Sequence, residues 1–385
     1  MDAMLQNLAW CPKLQIELAE AQLKKFCKMS KSLLRLLNYT HSEDGKNSGY
    51  KPSDILSAAR QRNSIFNGYH QQDSFEMFNT LIDGIKNEML QLTKENDSDV
   101  YGKSDEEIIM GTCSGVRLFF GTFVTEFKFS SCKHVECVFQ RFSSITVPIV
   151  QSEHKHTKDK NNKKSKKLRS SFESLTGVER GMKNGLMNTS SFKEEDFPCT
   201  QCEPPRTGGI CKRTMLILEP PSIMVLHIDR FSENGHGGVV KRNNLVTYPE
   251  SFDIVQFCSK ATEVIGADRR LFYNLFGVVA HSGSLNSGHY VAYIKTTHRS
   301  SAFWYDTMNR LWTDPEKRKT EVVCKLEEET SHYNSEYENK GSPIKEEENL
   351  DDTDWYFISD DYVKPCKTTE AIDNQNAYVL MYERV

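Results

Sequence analysis

The stretch Gly277-Val-Val-Ala-His281-Ser-Gly-Ser-Leu-Asn-Ser-Gly288-His289-Tyr290-Val-Ala-Tyr-Ile-Lys295 reads as two strands joined by a turn. The first strand begins near Tyr273 and runs to His281; the second is Tyr290–Ile294, and the Gly- and Ser-rich segment between them is of the kind that closes a hairpin. His289 falls where that loop meets the second strand, with Gly288 directly before it. A histidine in this position is partly exposed yet held by rigid neighbours, as a general base must be. On its own a histidine beside a turn is more often structural than catalytic, so its surroundings decide.

Upstream of the hairpin the pattern changes from strand to helix. Residues 1–38 carry apolar side chains at helical spacing, first Met1, Met4, Leu5 and Leu8, later Leu33, Leu34 and Leu37. Asp73-Ser-Phe-Glu76 fits a helix start with a capping acid and a Glu three residues on. Phe75, Phe78, Ile82, Ile85 and Met89 then follow at spacings of three and four. From Phe119 onward the segments are strand-like: Phe142–Val150, Thr214–Leu218, Ile223–Phe231, the hairpin, Trp355–Ile358 and Ala377–Tyr382. Helices first and strands afterwards give an α+β class with a mostly antiparallel sheet.

Two charged runs interrupt this plan. Lys155 to Arg169 holds eight Lys or Arg and one acid, Asp159, and Asp314 to Asp354 holds fourteen acids against six bases. Neither can bury enough apolar surface to offset its ordering entropy, so residues 152–195 and 314–354 are expected to be disordered insertions in a single domain spanning 1–385. With 385 residues and 38% hydrophobic content, the core needs no disulfide staple. Eleven cysteines, an odd number and mostly scattered, with no apolar leader or spanning run, predict reduced thiols and a cytoplasmic or nuclear location. No membrane association is expected, and the net charge of -4 gives no reason to expect a nucleic-acid partner.

Residues 277–295 resemble the histidine box of the ubiquitin-specific protease family: a strand, His-Ser-Gly, a short loop, then Gly-His-Tyr and a second strand. Further boxes agree in the family's order. Phe66-Asn-Gly-Tyr-His-Gln-Gln-Asp-Ser-Phe-Glu76 is similar to its Gln-Gln-Asp helix start, and Pro221-Ser-Ile-Met-Val-Leu-His-Ile-Asp-Arg-Phe231 to its strand ending in Arg-Phe. Trp355-Tyr-Phe-Ile-Ser-Asp-Asp-Tyr-Val363 and Ala377-Tyr-Val-Leu-Met-Tyr-Glu383 resemble its closing boxes. Ile358-Ser359-Asp360 looks closest to the branch with an extra N-terminal ubiquitin-binding zinc finger. The resemblance implies a papain-like fold with a helical thumb near 1–110, a sheet palm, and a finger from segments around 120–150 and 196–230. It also implies a thiol protease acting after the C-terminal glycine of ubiquitin, with ubiquitin and ubiquitinated proteins as partners. Gln72, Asp73 and Tyr290 would line the path of the ubiquitin tail.

In that family a cysteine attacks, a histidine serves as base, and a third residue orients the imidazole. His289 takes the role of base. The position four residues after Trp355 normally carries Asn or Asp, and here it is Ser359, with Asp360 next. A hydroxyl cannot stabilise imidazolium as a carboxylate does, so Asp360 is expected as the electrostatic partner and Ser359 as the positional one. Met1-Asp-Ala-Met-Leu-Gln-Asn-Leu8 matches the family's helix from just past the nucleophile, whose register falls about two residues before Met1. Two readings follow: a fragment of an active enzyme, or a ubiquitin-binding protein without catalysis. The chemistry requires no cofactor. The family often folds its finger around zinc held by two Cys-x-x-Cys pairs. Here Cys199 and Cys202 form one pair, while Cys132 stands alone with Phe129 in the other cysteine's place. His134, Cys137 and Cys211 are the candidates for a fourth ligand, and a metal-free finger is the expectation.

Overall fold

The computed structural model describes residues 2–296 and 355–385, apart from residues 22, 41, 43–49, 69–71, 97–100, 106–107, 109–116, 151–174, 205, 207, 234–237, 263–269 and 285–286. The helices come first: α1 (Asp2–Ala9), α2 (Pro12–Glu20), α3 (Lys28–Thr40), α4 (Ser53–Arg62) and the long α5 (Ser74–Asn96). Asp73 starts α5 as its spacing predicts, its Oδ1 accepting from the amides of Phe75 at 2.7 Å and Glu76 at 3.3 Å. Glu76 does not reach back to close a capping box; it accepts from Asn63 Nδ2 at 2.8 Å. No helix among the described residues is long and apolar enough to cross a membrane.

The strands are β1 (Gly121–Phe129), β2 (Val135–Phe142), β3 (Ile145–Pro148), β4 (Ser190–Lys193), β5 (Ile210–Glu219), β6 (Ile223–Asp229), β7 (Phe231–Glu233) and β8 (Val239–Lys241). Then follow β9 (Ser251–Asp253), β10 (Phe272–Gly283), β11 (Gly288–Lys295), β12 (Trp355–Ser359), β13 (Tyr362–Cys366) and β14 (Ala377–Arg384). The large sheet runs β13-β12-β11-β10-β14-β6-β3, with β9 pairing β10. Its pairings are antiparallel except β3 with β6. The finger is a separate sheet in the order β2-β1-β5-β4. β6 belongs to the large sheet rather than the finger.

Both faces of the large sheet are covered, which explains why β14 is buried from Ala377 to Tyr382. Val279, Ala292, Ile358, Val379 and Met381 pack against the helices, with Met4, Leu5 and Leu8 of α1. Their neighbours in sequence, Val278, Ala280, Leu380 and Tyr382, alternate to the other face. There they meet Val178 and Met182 of α6 (Gly177–Gly185). This helix corrects the expected insertion over 152–195. Thr176 and Glu179 form a capping box, and two buried apolar residues seat the helix under the sheet, enough local signal to outweigh the polar composition around it. Residues 151–174 and the whole of 314–354 lie outside the described residues.

His227 of β6 joins the two layers. Its ring stacks on Phe75 of α5 at 3.9 Å and meets Tyr378 edge-on at 4.8 Å, and neither ring nitrogen has a partner. Burial, against the weaker pull of Asp73 and Asp229, lowers its pKa to about 4. An unfolded histidine titrates near 6.5, so between about pH 6.5 and 4 the unfolded chain binds the extra proton and stability falls as pH falls. Replacing His227 with Phe keeps the stacked ring and removes this proton. The variant is expected to lose less stability than wild type between pH 7 and pH 4.5, by about 2 kcal/mol in urea melts. An identical loss in both would show that His227 is not the proton site.

Candidate active site

The two histidines of the hairpin have opposite environments. His281 is 2% exposed, stacks on Tyr290 at 4.4 Å, and leaves Nδ1 without a partner. Burial, then the nearby Lys241 cation, lowers its pKa to about 4, so it is a neutral packing residue. The His289 side chain is half exposed. The register pairs Ser282 with His289 and Gly283 with Gly288, so the two histidines sit one residue out of step. Two glycines permit this crossing. A Cβ at Gly288 would lie 2.3 Å from His281 Nε2 and 2.4 Å from Ser282 O. Gly283 adopts a φ of +109°, and a Cβ there would stand 2.5 Å from Gly288 Cα.

Across β11 lies β12, paired from Ala292–Ile358 to Lys295–Trp355. Buried Trp355 anchors one end of β12, and Ser359 arrives at the other. Ser359 Oγ is 2.8 Å from His289 Nε2, whereas Asp360 Oδ2 lies 4.0 Å away. The sequence favoured Asp360 as electrostatic partner; the direct hydrogen bond belongs to Ser359. Asp360 occupies the turn between β12 and β13 with a φ of +53°, a conformation that Asp tolerates better than most residues. Its side chain is 65% exposed, so water and salt screen its charge from the imidazole.

Helix α1 brings its own residues to the same corner. Gln6 Nε2 donates to Asp360 O at 3.1 Å, tying the helix to the turn that carries Ser359. Asn7 is buried behind it, donating to Ala3 O at 2.9 Å, and its Oδ1 fills the space that a Cβ at Gly277 would need. Sequence reading overlooked Gln6; its polarity between buried Leu5 and Asn7 was the available signal. With Nε2 engaged, Nδ1 of His289 is the nitrogen left to serve a reacting thiol.

Of the residues expected along the ubiquitin tail, Asp73 has both oxygens engaged, one by the α5 amides and the other by Tyr378 OH at 2.6 Å. Tyr290 is half-buried against His281 and Tyr378, and burial followed by the Asp73 charge raises its hydroxyl. Gln72 precedes the cap, half-buried, and Gln71 lies outside the described residues.

Cysteines are distributed away from this corner. Among the described residues no cysteine hydrogen-bonds to His289. Cys11 and Cys27 are buried among the helices, and burial pushes the Cys11 thiol up to about 12. Cys366 pairs with Trp355, four residues from Ser359 along the strand and so roughly 13 Å off. Cys113 lies outside the described residues.

In the finger, the structure gathers Cys132, His134, Cys199 and Cys202, with ligand atoms all within 4.8 Å of one another. His134 Nδ1 is 3.4 Å from Cys199 Sγ and 3.6 Å from Cys202 Sγ. Donor atoms around tetrahedral zinc are about 3.5–3.8 Å apart, given the usual bond lengths, so three thiols and one imidazole fit that ion. Of the three candidates for a fourth ligand it is His134 that joins the set. Cys211 is buried beside Phe129 in the finger core, and Cys137 is exposed on β2. Burial opposes a thiolate at Cys132, but donors from His134, Cys202 and Cys199 outweigh it and lower that thiol.

A family model described as "Ubiquitin carboxyl-terminal hydrolase" matches residues 1–382. Ubiquitin carboxyl-terminal hydrolase 45 of Mus musculus is 27% identical over 217 residues, 55% of this chain and 23% of that protein. Ubiquitin carboxyl-terminal hydrolase 16 of Danio rerio is 30% identical over 197 residues, 49% of this chain and 20% of that protein. The chain thus spans about a quarter or less of the length of these two relatives. A solved structure, the SAGA Ubp8/Sgf11/Sus1/Sgf73 DUB module bound to ubiquitin aldehyde, superposes with a TM-score of 0.59 at 17% identity, covering 100% of this chain and 67% of that one. That likeness gives the fold, the papain-like α+β arrangement. Taken with the ordered boxes and the match across residues 1–382, it leaves one conclusion: the chain belongs to the ubiquitin carboxyl-terminal hydrolase family.

Proposed function

We propose that this chain is the catalytic body of a ubiquitin-specific thiol protease, with His289 as its base and Ser359 as the residue that orients it. The observation that carries this reading is the half-exposed His289 imidazole bonded through Nε2 to Ser359 Oγ at 2.8 Å. A base needs one nitrogen fixed and the other free, and the family membership supplies the reaction. The thiol gives its proton to Nδ1 and attacks the carbonyl after the C-terminal glycine of ubiquitin. The resulting imidazolium, its Nε2–H held by the Ser359 oxygen, protonates the leaving lysine amine. His289 then takes a proton from water as it attacks the thioester. The thiol of this reading stands just ahead of α1, about two residues before Met1. Support comes from α1 itself, whose Gln6 is tied to the Ser359–Asp360 turn, and from the unsuitability of the buried, raised Cys11.

A second reading is a ubiquitin-binding protein that does no chemistry. The lack of any cysteine hydrogen-bonded to His289 among the described residues favours it. Under either reading the partners are ubiquitin and ubiquitinated proteins, in a compartment that keeps thiols reduced. The finger is assigned a structural zinc held by Cys132, His134, Cys199 and Cys202, which would cross-link β1 and β2 to the segment before β5 and take no part in hydrolysis.

A ubiquitin bearing a C-terminal thiol-reactive group separates the readings. A form extended so that Cys and an aromatic residue precede Met1 is expected to give a covalent adduct and to cleave ubiquitin conjugates. His289→Ala in that form should lower cleavage by at least about a thousandfold while ubiquitin still binds. Cleavage that survives the change refutes the role given to His289, and a failure of the extended form to react supports the binding reading. For the finger, one zinc per chain is expected by metal analysis. Cys202→Ser or a chelator should lower the melting temperature by several degrees, and equal melting with and without chelator excludes a structural metal.

A further inference from the structure

Beyond the residues that touch the imidazole, one cation is aimed at the backbone of its hairpin. β10 outruns its neighbour β14: their last paired residues are Ala280 and Ala377. The His281 amide takes Asn376 O at 2.9 Å just before β14 begins. In an antiparallel strand the amide and carbonyl of one residue point to the same side. The carbonyls of His281 and Gly283 therefore face a side on which β14 offers no amide. Lys241 Nζ supplies the missing donors, at 2.6 Å to His281 O and 3.0 Å to Gly283 O. These two residues flank Ser282, and Ser282 is the register partner of His289.

Lys241 is itself held on a rigid base. It ends β8, opposite Phe231 of β7. Next to Phe231 is Arg230, 1% exposed, whose guanidinium donates to four carbonyls. Two lie at the entry to β14, Gln375 two residues before it and Ala377 its first residue, and two belong to the segment after β8, Arg242 and Asn244. The β7–β8 hairpin is thus fastened to β14 at its root and reaches across to β10 with its lysine.

We propose that Lys241 is a positioning residue: its ammonium locks the overhanging carbonyls of β10 and so fixes the turn that delivers His289 to Ser359. An ammonium suits the task because it presents three donors on one atom and forms charge-assisted bonds to both carbonyls. Gly283, with its positive φ, is the point where the strand leaves regular pairing and has least stiffness of its own. This inference rests on His289 being the base, so its test carries one readout that needs no catalysis.

That readout is histidine NMR on the chain as written, comparing wild type, Lys241→Met and Lys241→Arg. Lys241→Met keeps the aliphatic stem and removes every donor. It is expected to move or broaden the His289 ring signals and to speed amide exchange at Ser282 and His289, with Lys241→Arg close to wild type. In the extended, thiol-bearing form, Lys241→Met should lower kcat by roughly tenfold or more with KM within about twofold, and Lys241→Arg should recover most of it. His289 signals and exchange rates that are the same in all three proteins overturn the proposal. If the extended form never cleaves, the base assignment fails, while the NMR comparison still decides whether Lys241 sets the histidine's position. Should Lys241→Met not fold, the decision rests on Lys241→Gln, which retains one donor arm and is expected to exchange faster than both wild type and Lys241→Arg at Ser282 and His289, equal rates overturning the proposal.

Discussion

The crossing of β10 and β11 at Gly283 and Gly288 is the constraint on which the site depends. Neither position has room for a Cβ, because the two backbones and the His281 ring occupy the space. The close approach fixes the pairing register, and side chains alternate along a strand, so register decides that His289 faces away from the side on which His281 is buried. A slip of β11 by one residue against β10 would turn each β11 side chain to the opposite face of the sheet. The ring now bonded to Ser359 would then point to the face on which His281 packs, toward the aromatic cluster of Phe231, Tyr290 and Tyr378.

From this register the remaining parts follow by packing. β12 pairs β11, and buried Trp355 holds its place opposite Lys295, so Ser359 arrives beside His289 at the far end of the ladder. Helix α1 lies over the same strands with Met4, Leu5 and Leu8 in the core, and Gln6 reaches the turn beyond Ser359. A carboxylate in contact with the imidazole would stabilise imidazolium more strongly than a hydroxyl does. The exposed Asp360 at 4.0 Å supplies only a screened charge. The geometry therefore trades electrostatic strength for orientation, which a 2.8 Å bond to a short side chain gives well.

Much of this was legible in the sequence because local patterns and global fold agree there. The hairpin, the α5 start at Asp73, the mostly antiparallel sheet and the closing strands all carry period-2 or helical signals that survive folding. What escaped is what depends on three-dimensional approach. Spacing after Trp355 placed Ser359 and Asp360 side by side but could not say which side chain faces β11, since that follows from the pleat and the turn at Asp360. His134 stood among three candidates for the fourth finger ligand until the β1–β2 turn brought it against Cys199 and Cys202. Helix α6 was hidden by the basic run before it, although Thr176 and Glu179 form a capping box.

The claim that Ser359, through Nε2, sets the His289 imidazole is open to one direct measurement. Nitrogen NMR of the His289 ring in Ser359→Ala and Asp360→Asn, each compared with wild type, reads the partner of Nε2 without requiring turnover. The account predicts that Ser359→Ala shifts the Nε2 resonance while Asp360→Asn leaves it near its wild-type position. An Nε2 resonance unmoved by Ser359→Ala and displaced by Asp360→Asn would contradict it.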